Sequence, residues 1–476
     1  MSDRDTSAPM MRLAEAAAML GVPLAGHDAE VLRVSTDSRT LQPGDLFIAL
    51  RGEKFDGGSY AAQALRQGAA GVVLDRTQAP DIATALRVDD TRLALGKLAA
   101  AWRKRFAIPV VAITGSNGKT TVKEMLAAIL RVETGSDGAV LQTEGNLNND
   151  IGLPLMLLRL RDTHQFAVLE MGMNHAGEID YLTRLARPDV AVVNNALTAH
   201  IGFLGSVEAI ARAKGEIFNG LTDAGIAVFN ADDAHAWLWR GINARRSVID
   251  FGLREPSVVR GQYMPRLYGS MLTLVLPDAE LRIELQVPGE HNVMNALSAS
   301  AAAFALDVSH PSIVAGLSGF TGIKGRLQNK PGLHGSTFID DTYNANPDSV
   351  KAALAVLAQQ PGKKVLVLGD MGELGHDAAS MHAQIGLAAR AAGMDRLLAL
   401  GELTKETVGA FGAGAMHFER IQELLAELEN ELTADTTVLV KGSRFMQMER
   451  VVQSFTEAPD VPASGAFIPP TGGQGH

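Results

Sequence analysis

The stretch Val110-Val-Ala-Ile-Thr-Gly-Ser-Asn-Gly-Lys-Thr-Thr121 decides the fold of the central part of this chain. An apolar run leads into a glycine-rich turn, and a helix is predicted to begin near Val122. In such a unit the backbone N–H groups of the turn and the helix N-terminus together attract phosphate. Lys119 is predicted to reach the outer phosphates of a nucleotide, and the Thr120 hydroxyl to bind Mg²⁺. The alternative is an ordinary strand–helix turn that contains a lysine.

The predicted phosphate cradle covers the whole turn and the first residues after it: Gly115, Ser116, Asn117, Gly118, Lys119, Thr120 and Thr121. Its spacing differs from the common phosphate-loop pattern, because Gly115 lies only three residues before Gly118. Glycine is needed there because a side chain would hold the backbone away from the anion. The order of strand, turn and helix favours a nucleotide site over the ordinary turn.

Short apolar runs alternate with helical stretches along most of the chain. In the central part these runs are Val110–Ile113, Phe166–Leu169, Val190–Val193 and Ile226–Phe229. Continuous apolar strands are typical of parallel sheets covered on both faces. The stretch Arg246–Val287 has a more antiparallel pattern, and an alanine-rich helix is predicted over His291–Leu306. After Gly322 the alternation restarts, with predicted strands at Thr337–Ile339, Val365–Leu368, Leu397–Leu400, Met416–Phe418 and Val438–Val440.

The predicted fold class is α/β with three domains, which fits a chain of 476 residues. Residues 1–106 are predicted to form a small mixed α/β N-terminal domain. Residues 107–322 are predicted to form a central P-loop-type ATPase domain with a mostly parallel sheet. Residues 323–457 are predicted to form a C-terminal Rossmann-like open α/β domain. The tail, 458–476, is rich in Pro, Gly and Ser and is predicted to be disordered.

Composition excludes several classes of function. A net charge of −10 opposes non-specific nucleic-acid binding, which needs clustered Lys and Arg. The absence of cysteine excludes disulfides, thiol catalysis and thiolate metal sites, and fits a reducing compartment. No secretory signal is visible at the start, and the apolar runs are far shorter than a membrane helix. We therefore expect a cytoplasmic protein that neither binds nucleic acid nor inserts into a membrane. A monomer is the default expectation, because the sequence carries no signal of oligomeric state.

Three residues downstream of the turn are candidates for the metal site. Glu170 ends the apolar run Phe166–Leu169, and the carboxyl ends of parallel strands line the ligand crevice. His200 follows the next apolar run, but a lone histidine is more often structural than a ligand. Lys214, taken alone, reads as a solvated lysine on a helix. The residues by themselves leave the last two assignments open.

These motifs, in this order, resemble the Mur ligase family, the ATP-dependent ligases of peptidoglycan precursor synthesis. The resemblance covers about residues 11–455, and Thr114–Thr121 matches the family's loop. It implies that Thr120, Glu170 and His200 hold two Mg²⁺ ions. It also implies that Lys214 is carbamylated, so that a carboxylate made from CO₂ supports the second metal. Lys119, Glu170, His200, Lys214 and Arg326 are then the catalytic residues.

The resemblance further implies how the nucleotide is held. Glu290-His-Asn-Val-Met-Asn295 resembles the family's adenine-contacting motif, which assigns Asn292 and Asn295 to the base. Arg326 in Gly325-Arg-Leu-Gln328 resembles the arginine that reaches the phosphates. Asp341 is expected to contact the ribose of ATP.

Four segments resemble the branch of the family that joins D-alanyl-D-alanine to UDP-N-acetylmuramoyl-tripeptide: Gly145–Pro154, Glu170–Glu178, Asp340–Pro347 and Leu368–Gly375. The Asp-Asn-Pro-Arg motif of the preceding ligase is absent. The implied reaction passes through an acyl phosphate. Rival interpretations are another Mur-type or folylpolyglutamate-type ligase, a nucleotide-binding protein without catalysis, or a structural scaffold. The first rival would be distinguished by the amine that supports phosphate release. The second would be distinguished by whether ADP release depends on the substrates.

The substrate-binding residues implied by the resemblance are Ser38, Arg39, Asn146, Asn149, Tyr343, Asn344, Asn346, Lys441, Ser443 and Arg444. Each group has a structural alternative. Ser38 and Arg39 can form a capped turn, Asn146 and Asn149 can cap a loop, and Lys441–Arg444 can be a basic helix start. The segment Asp56-Gly-Gly-Ser-Tyr60 departs from the family, which usually has a histidine after Asp-Gly.

Overall fold

The computed structural model describes residues 9–52, 55–79, 81–82, 84–199 and 201–456. These residues form two units, which we describe separately. The first unit contains the residues up to Gly322 together with Glu373–His376, and the second contains Ile323–Gly372 and the residues from Asp377 onward. The predicted α/β class is confirmed, because both units are built on largely parallel sheets that alternate with helices. The predicted disordered tail, 458–476, lies outside the described residues.

The first hundred residues form a small parallel sheet with helices. The elements are β1 (Met11–Arg12), α1 (Leu13–Leu20), β2 (Glu30–Val31), β3 (Arg33–Ser35), β4 (Asp45–Ile48), α2 (Ala61–Arg66), β5 (Gly71–Asp75), β6 (Leu86–Val88) and α3 (Thr91–Arg103). Strands β3, β4, β5 and β6 lie in that order and are all parallel, whereas β1 and β2 form a separate antiparallel pair. Every residue of β4 and β5 is buried, which explains the apolar runs Leu46–Ile48 and Val72–Leu74 within them.

The central part of the first unit is a nine-stranded sheet covered by helices. Its first elements are β7 (Val110–Thr114), α4 (Lys119–Thr134), β8 (Val140–Gln142), α5 (Gly152–Leu157), β9 (Phe166–Glu170), α6 (Glu178–Ala186), β10 (Val190–Val193), α7 (Ile201–Leu204) and α8 (Val207–Gly215). The later elements are β11 (Ile226–Asn230), α9 (Ala236–Ile242), β12 (Ser247–Gly252), β13 (Val259–Arg266), β14 (Gly269–Val275), β15 (Glu280–Leu285), α10 (Glu290–Phe304) and α11 (His310–Ser318). The strand order is β15-β14-β13-β12-β11-β10-β7-β9-β8.

The strand order places β7 between β10 and β9, with all three parallel and their residues almost entirely buried. The carboxyl ends of these strands therefore meet at one edge, where Asn194, Thr114 and Glu170 follow one another across the sheet. In open parallel sheets this edge is where ligands bind. The fold thus brings together residues that are distant in sequence.

Two expectations about this region need correction. The helix after the turn begins at Lys119 rather than near Val122, because Gly118 adopts a left-handed conformation that ends the turn earlier. The stretch Arg246–Val287 is only partly antiparallel. Strand β12 pairs in parallel with both β11 and β13, and only β13, β14 and β15 form antiparallel pairs. The antiparallel signal came from the alternation in Leu281–Val287, which covers most of β15 and says nothing of the pairing of β12.

Helix α3 fastens the N-terminal sheet to the central one. The indole Nε1 of Trp102 donates to the carbonyl oxygen of Leu160 at 3.2 Å. The buried guanidinium of Arg103 donates to the carbonyl oxygens of Ala186, Phe106 and Ile108. These bonds satisfy backbone groups that would otherwise be costly to bury. The predicted domain boundary near Phe106 stays a prediction, since these contacts run across it.

The second unit is a six-stranded sheet with helices on its faces. Its elements are β16 (Gln328–Pro331), β17 (Thr337–Asp341), α12 (Pro347–Ala358), β18 (Lys363–Gly369), α13 (Ala378–Ala391), β19 (Arg396–Leu400), α14 (Thr404–Phe411), β20 (Ala415–Phe418), α15 (Ile421–Glu431), β21 (Thr436–Lys441) and α16 (Glu449–Thr456). The strand order is β16-β17-β21-β18-β19-β20, and only β16 is antiparallel to its neighbour. Each of the five strands predicted after Gly322 is present.

A buried histidine fixes the loop that follows β18. The imidazole of His382 is fully buried, and its Nε2 accepts the backbone N–H of Met371 at 3.0 Å. Its Nδ1 therefore carries the hydrogen and donates to the carbonyl oxygen of Ala378 at 2.7 Å. Burial lowers the pKa of His382 from its ordinary value. The loop conformation thus requires the neutral imidazole.

Acidification should therefore weaken the second unit through His382. An unfolded histidine has a pKa of about 6.5, so between the lower folded pKa and that value the unfolded chain binds more protons. The contribution is complete above about pH 7.5 and declines as the pH falls through the unfolded value towards the lower folded pKa, with a slope of at most about 1.4 kcal/mol per pH unit. Denaturant unfolding of wild type and His382→Gln at several pH values measures the slope.

The His382→Gln variant should lose this part of the slope, whatever its absolute stability. Replacement of the exposed His334 by glutamine is the matched control and should keep the wild-type slope. Identical slopes in wild type and His382→Gln would contradict the assignment.

Candidate nucleotide and metal site

The last position of the turn between β7 and α4 requires glycine. Gly118 has a φ of +82°, a conformation that L side chains rarely adopt. A Cβ at this position would lie 2.3 Å from Oδ1 of Asn295 and 2.6 Å from Nδ2 of Asn194. The turn therefore packs directly on the ends of β10 and α10.

Asparagines hold this turn in place. The backbone N–H of Ser116 donates to the carbonyl oxygen of Asn195 at 3.0 Å, and that of Asn117 donates to its Oδ1 at 2.9 Å. Nδ2 of Asn194 donates to the carbonyl oxygen of Asn117 at 3.0 Å and to Oδ1 of Asn295 at 2.9 Å. These hydrogen bonds within the protein fix the shape of the turn. The N–H groups of Ser116 and Asn117, which the sequence assigned to phosphate, are engaged by Asn195 in this state.

The cationic side chain of the turn also has an internal partner. Nζ of Lys119 donates to the carbonyl oxygen of Gly115 at 2.7 Å. Helix α4 starts at Lys119, so the partial positive charge of its N-terminus lies at the same place. Thr121 is buried beneath the turn. The residues predicted to bind phosphate are therefore grouped at the N-terminus of α4, where positive charge would attract an anion.

The carboxylate of Glu170 lies beside this helix N-terminus and is held by side chains of two other elements. Glu170 is 3% exposed, its Oε2 accepts the Thr120 hydroxyl at 2.8 Å, and its Oε1 accepts Nδ2 of Asn148 at 2.8 Å. Its backbone N–H donates to Oγ1 of Thr143 at 2.9 Å. A hydroxyl and a carboxylate in contact at the N-terminus of a phosphate-binding helix are suited to share a Mg²⁺ ion.

Lys214 is not the solvated lysine that its sequence context suggests. It is 1% exposed in α8, and among the described residues none forms an ion pair with it. Burial, and next the positive charge of Lys119, hold the pKa of Lys214 well below the ordinary lysine value. A buried amine of lowered basicity beside a second cation is unfavourable as an ammonium ion. It suits an uncharged amine, or an amine converted to an anion.

Thr120 and Glu170 would supply part of the coordination shell of a Mg²⁺ ion, and ligands other than protein side chains would complete it. Among the described residues no cluster of three His, Cys, Asp or Glu side chains occurs that could enclose a metal. Mg²⁺ is usually held by one or two carboxylates together with substrate phosphates and water, which the pair Thr120 and Glu170 allows. His200, the third predicted ligand, lies outside the described residues.

Of the two residues predicted to contact adenine, Asn295 packs against the turn and Asn292 bonds to Asn295. Asn292 and Asn295 are both buried, Nδ2 of Asn295 donates to Oδ1 of Asn292 at 3.3 Å, and Nδ2 of Asn292 donates to the carbonyl oxygen of Pro288 at 2.8 Å. Asn295 is thereby oriented towards Gly118 and Asn194. The geometry gives both residues a role in shaping the turn, and their contact with a base stays a prediction.

In the second unit a buried ion pair joins the carboxyl ends of β17 and β21. Nζ of Lys441 donates to Oδ2 of Asp341 at 2.6 Å and to the carbonyl oxygen of Asn344 at 2.8 Å. Burial raises the pKa of Asp341, although the positive charge of Lys441 opposes the rise. Lys441 is 3% exposed, so it organises the loop after β17 from within.

The other predicted residues of the second unit lie around this pair. The guanidinium of Arg326 stacks over the ring of Tyr343, 4.3 Å from its centroid. Oδ1 of Asn346 caps α12 by accepting the N–H of Ser349 at 2.9 Å. The buried Ser443 hydroxyl donates to the carbonyl oxygen of Ala345 at 3.2 Å. The exposed Arg444 pairs with Glu449 at 2.9 Å.

The remaining predicted substrate residues take part in local structure. Arg39 pairs with Asp37, and this hydrogen bond lowers the pKa of Asp37 to about 2. Ser38 lies between them in the turn. Oδ1 of Asn149 accepts the N–H of Gly152 at 2.8 Å, which is the loop-capping alternative, and the carbonyl oxygen of Asn146 accepts the N–H of Asn148 at 2.8 Å. Substrate contacts of these residues stay predictions.

Sequence reasoning missed four polar residues that the geometry places in the site: Thr143, Asn148, Asn194 and Asn195. Each follows a strand of the central sheet, so their position at its carboxyl edge was the available signal. The short strand β8, which leads to Thr143, went unrecognised. Asn148 sits within the segment Gly145–Pro154 but was passed over for its neighbours.

The chain matches models of three consecutive family segments. These are the Mur ligase family catalytic domain over residues 30–103, the Mur ligase middle domain over residues 113–303, and the Mur ligase glutamate ligase domain over residues 325–444. Among the described residues, no helix combines the length and the apolar composition that a bilayer crossing requires.

Characterised relatives match over nearly the whole length. The UDP-N-acetylmuramoyl-tripeptide–D-alanyl-D-alanine ligase of Escherichia coli (strain K12) is 42% identical over 447 residues, which is 92% of this chain and 97% of the relative. A crystal structure of MurF from Acinetobacter baumannii superposes with a TM-score of 0.87 at 37% identity, over 94% of this chain and 99% of that one. MurF ligase from Thermotoga maritima in complex with ADP gives 0.80 at 27% identity, over 88% and 96%.

The three segments occur in the family's order, and the phosphate-type turn with Thr120 and Glu170 falls within the middle one. The identity to the Escherichia coli relative extends over 92% of the chain, so the match is not confined to the turn. This chain belongs to the Mur ligase family.

Proposed function

We propose that this protein is the ATP-dependent ligase that joins D-alanyl-D-alanine to UDP-N-acetylmuramoyl-tripeptide, yielding the pentapeptide precursor of peptidoglycan. The observation that carries the proposal is the contact of Thr120 with Glu170 at the N-terminus of α4, beside Lys119 and the buried Lys214. The names of the relatives, which agree over most of the chain, support the choice of substrates. Because the reaction consumes ATP, we propose that it takes place in the cytoplasm.

The chemistry requires a carboxylate to attack the γ-phosphate of ATP, which forms an acyl phosphate and ADP. The dipeptide amine then attacks the acyl carbon and expels phosphate. The first step brings anions together, and each like-charge pair at about 4 Å costs about 4 kcal/mol at an effective dielectric of about 20. Lys119 and the N-terminus of α4 offset part of this repulsion.

When bound, Mg²⁺ would neutralise charge on the phosphate oxygens and orient the transferred group. Thr120 and Glu170 would hold the first ion, with His200 as a further ligand. Asn148 keeps Glu170 in position, because its amide occupies Oε1 and leaves the rotamer fixed. Arg326 and Asp341 are proposed to contact the phosphates and the ribose of the nucleotide.

Carbamylation of Lys214 resolves an electrostatic conflict in the site. The Lys214 amine is buried near the charge of Lys119, and burial favours the uncharged form that reacts with CO₂. The resulting carbamate is an anion, so repulsion from Lys119 becomes attraction, and its oxygens can support a second Mg²⁺. This assignment rests on burial and on the absence of an ion-pair partner among the described residues.

Phosphate release should depend on both peptide substrates. Purified enzyme with ATP and UDP-muramoyl tripeptide is expected to release phosphate in quantity only when D-alanyl-D-alanine is added, because the acyl phosphate needs the amine to turn over. A coupled phosphate assay with D-alanyl-D-alanine, D-glutamate and diaminopimelate as donors makes the comparison. Equal turnover with a single amino acid would contradict the proposed substrate, and no ATP consumption with both peptides would contradict the ligase assignment.

Lys214→Ala should lower kcat about 100-fold or more, because it removes the anion that offsets cationic charge around the phosphates. Short carboxylates such as formate or acetate should restore part of the rate by occupying the vacated space. The control is Lys104→Ala, which removes an exposed lysine and should leave kcat unchanged. Full activity of Lys214→Ala would contradict the assignment.

Gly118→Ala should weaken nucleotide binding at least about 10-fold, because the methyl group would meet Asn295 and Asn194 and displace the turn. Gly135→Ala is the matched control: its φ is +65°, but no atom lies within 4 Å of the added methyl. It shares the backbone strain without the collision, so it should lower stability slightly and leave ADP affinity unchanged. Titration calorimetry with ADP compares the two, and equal affinities would contradict the role of the turn.

A further inference from the structure

A buried lysine that the proposed chemistry does not use lies one helical turn beyond Thr120. Lys123 of α4 is 2% exposed, and it is among the largest fully buried side chains of the chain. Taking an ammonium out of water is costly unless hydrogen bonds and an opposite charge compensate it. A methionine of similar length would fill the same space without this cost, so packing alone does not account for a lysine.

Two partners compensate the charge of the buried Lys123 ammonium: a backbone carbonyl oxygen and a carboxylate. Its Nζ donates to the carbonyl oxygen of Thr143 at 2.6 Å and pairs with Oε1 of Glu124 at 2.8 Å. Thr143 is fully buried and immediately follows β8, and its own N–H donates to the carbonyl oxygen of Val168 in β9. The ammonium therefore fixes the point where the loop after β8 leaves the sheet.

Thr143 connects this lysine to the metal-binding carboxylate. While its carbonyl oxygen accepts the Lys123 ammonium, its Oγ1 accepts the backbone N–H of Glu170 at 2.9 Å. The same loop carries Asn148, whose amide holds Oε1 of Glu170 at 2.8 Å. Thr120, which holds Oε2, lies three residues before Lys123 on α4. Residues three apart share a helix face, so one face of α4 contacts both the carboxylate and its support.

We propose that Lys123 is a positioning residue of the ligase reaction, which sets the Glu170 carboxylate through Thr143. Without the ammonium, the Thr143 carbonyl loses its partner, the loop that carries Asn148 loosens, and Glu170 loses two of its three supports. The inference rests on the proposed metal role of Glu170 for its effect on rate. The positioning itself can be measured in the ligand-free protein.

Lys123→Met keeps the side-chain length and removes the charge. We expect kcat to fall about 10- to 100-fold, the usual effect of losing a residue that orients a metal ligand. The KM for ATP should change less than about threefold, because the turn and α10 are untouched. The Mg²⁺ concentration for half-maximal rate should rise. In ligand-free protein, hydrogen exchange should accelerate in peptides covering residues 141–149 and at the Glu170 amide.

Lys97→Met is the matched control, since the Lys97 ammonium likewise donates to a backbone carbonyl oxygen, that of Leu20, at 2.6 Å. It lies on α3 and should change neither kcat nor exchange at Glu170. Thr143→Val and Thr143→Ser provide a second route if Lys123→Met folds poorly. Valine removes the acceptor of the Glu170 N–H and should reproduce the loss of rate, whereas serine keeps the hydroxyl and should retain most of it.

Wild-type exchange at the Glu170 amide in both Lys123→Met and Thr143→Val would overturn the positioning role, whatever the protein catalyses. So would equal loss of rate in Thr143→Val and Thr143→Ser. Faster exchange without any change in kcat or in the Mg²⁺ requirement would overturn the inference for catalysis, and with it the metal role of Glu170, while leaving nucleotide binding at the turn intact.

Discussion

A buried carboxylate at the carboxyl end of β9 organises one edge of the nine-stranded sheet. Placing an anion there is costly, and the cost is met by the Thr120 hydroxyl, the Asn148 amide and the end of a helix dipole. Because these partners come from α4 and from the loop after β8, their contacts with Glu170 also fix the relative positions of those elements. Further stabilisation comes from Thr143, which holds the backbone of the same residue. The contacts that hold Glu170, the proposed metal ligand, are thus part of the packing of the sheet against its helices.

The N-terminus of α4 also brings two lysine amines together, since the charge of Lys119 lowers the pKa of the buried Lys214. Lys119 is bonded to a carbonyl oxygen, and Lys214 is buried without an ion pair among the described residues. Such an arrangement is unfavourable in isolation and becomes favourable when anions enter it, whether phosphate or a carbamate. The asparagines around the turn supply hydrogen bonds without adding charge, so they shape the cradle and leave its potential positive.

Much of this arrangement could be predicted from the sequence, because the strongest signals are local. The apolar runs became buried strands, and Thr120 after β7 meets Glu170 at the carboxyl end of the neighbouring β9. Other features depend on contacts between distant residues. The burial of Lys214 and the Asp341–Lys441 pair arise from packing, which a helix or strand pattern does not record.

Two further cases show where local patterns mislead. The alternative of a basic helix start is wrong for Lys441, which ends strand β21 and bonds to Asp341 and to the Asn344 carbonyl, while its contact with a substrate carboxylate stays a prediction. Helix α4 starts earlier than hydrophobic periodicity suggested, because the conformation of Gly118 rather than the first apolar residue sets the boundary. In both, a single tertiary contact or backbone angle outweighs the sequence pattern.

The most direct measurement of the central claim is a crystal structure with Mg²⁺ and a non-hydrolysable ATP analogue. The account predicts the triphosphate at the turn between β7 and α4, with the Lys119 ammonium moved from the Gly115 carbonyl to a phosphate oxygen. It also predicts a metal ion between the Thr120 hydroxyl and the Glu170 carboxylate, in place of the hydrogen bond that joins them now. A triphosphate bound elsewhere, with both of those hydrogen bonds intact, would contradict it.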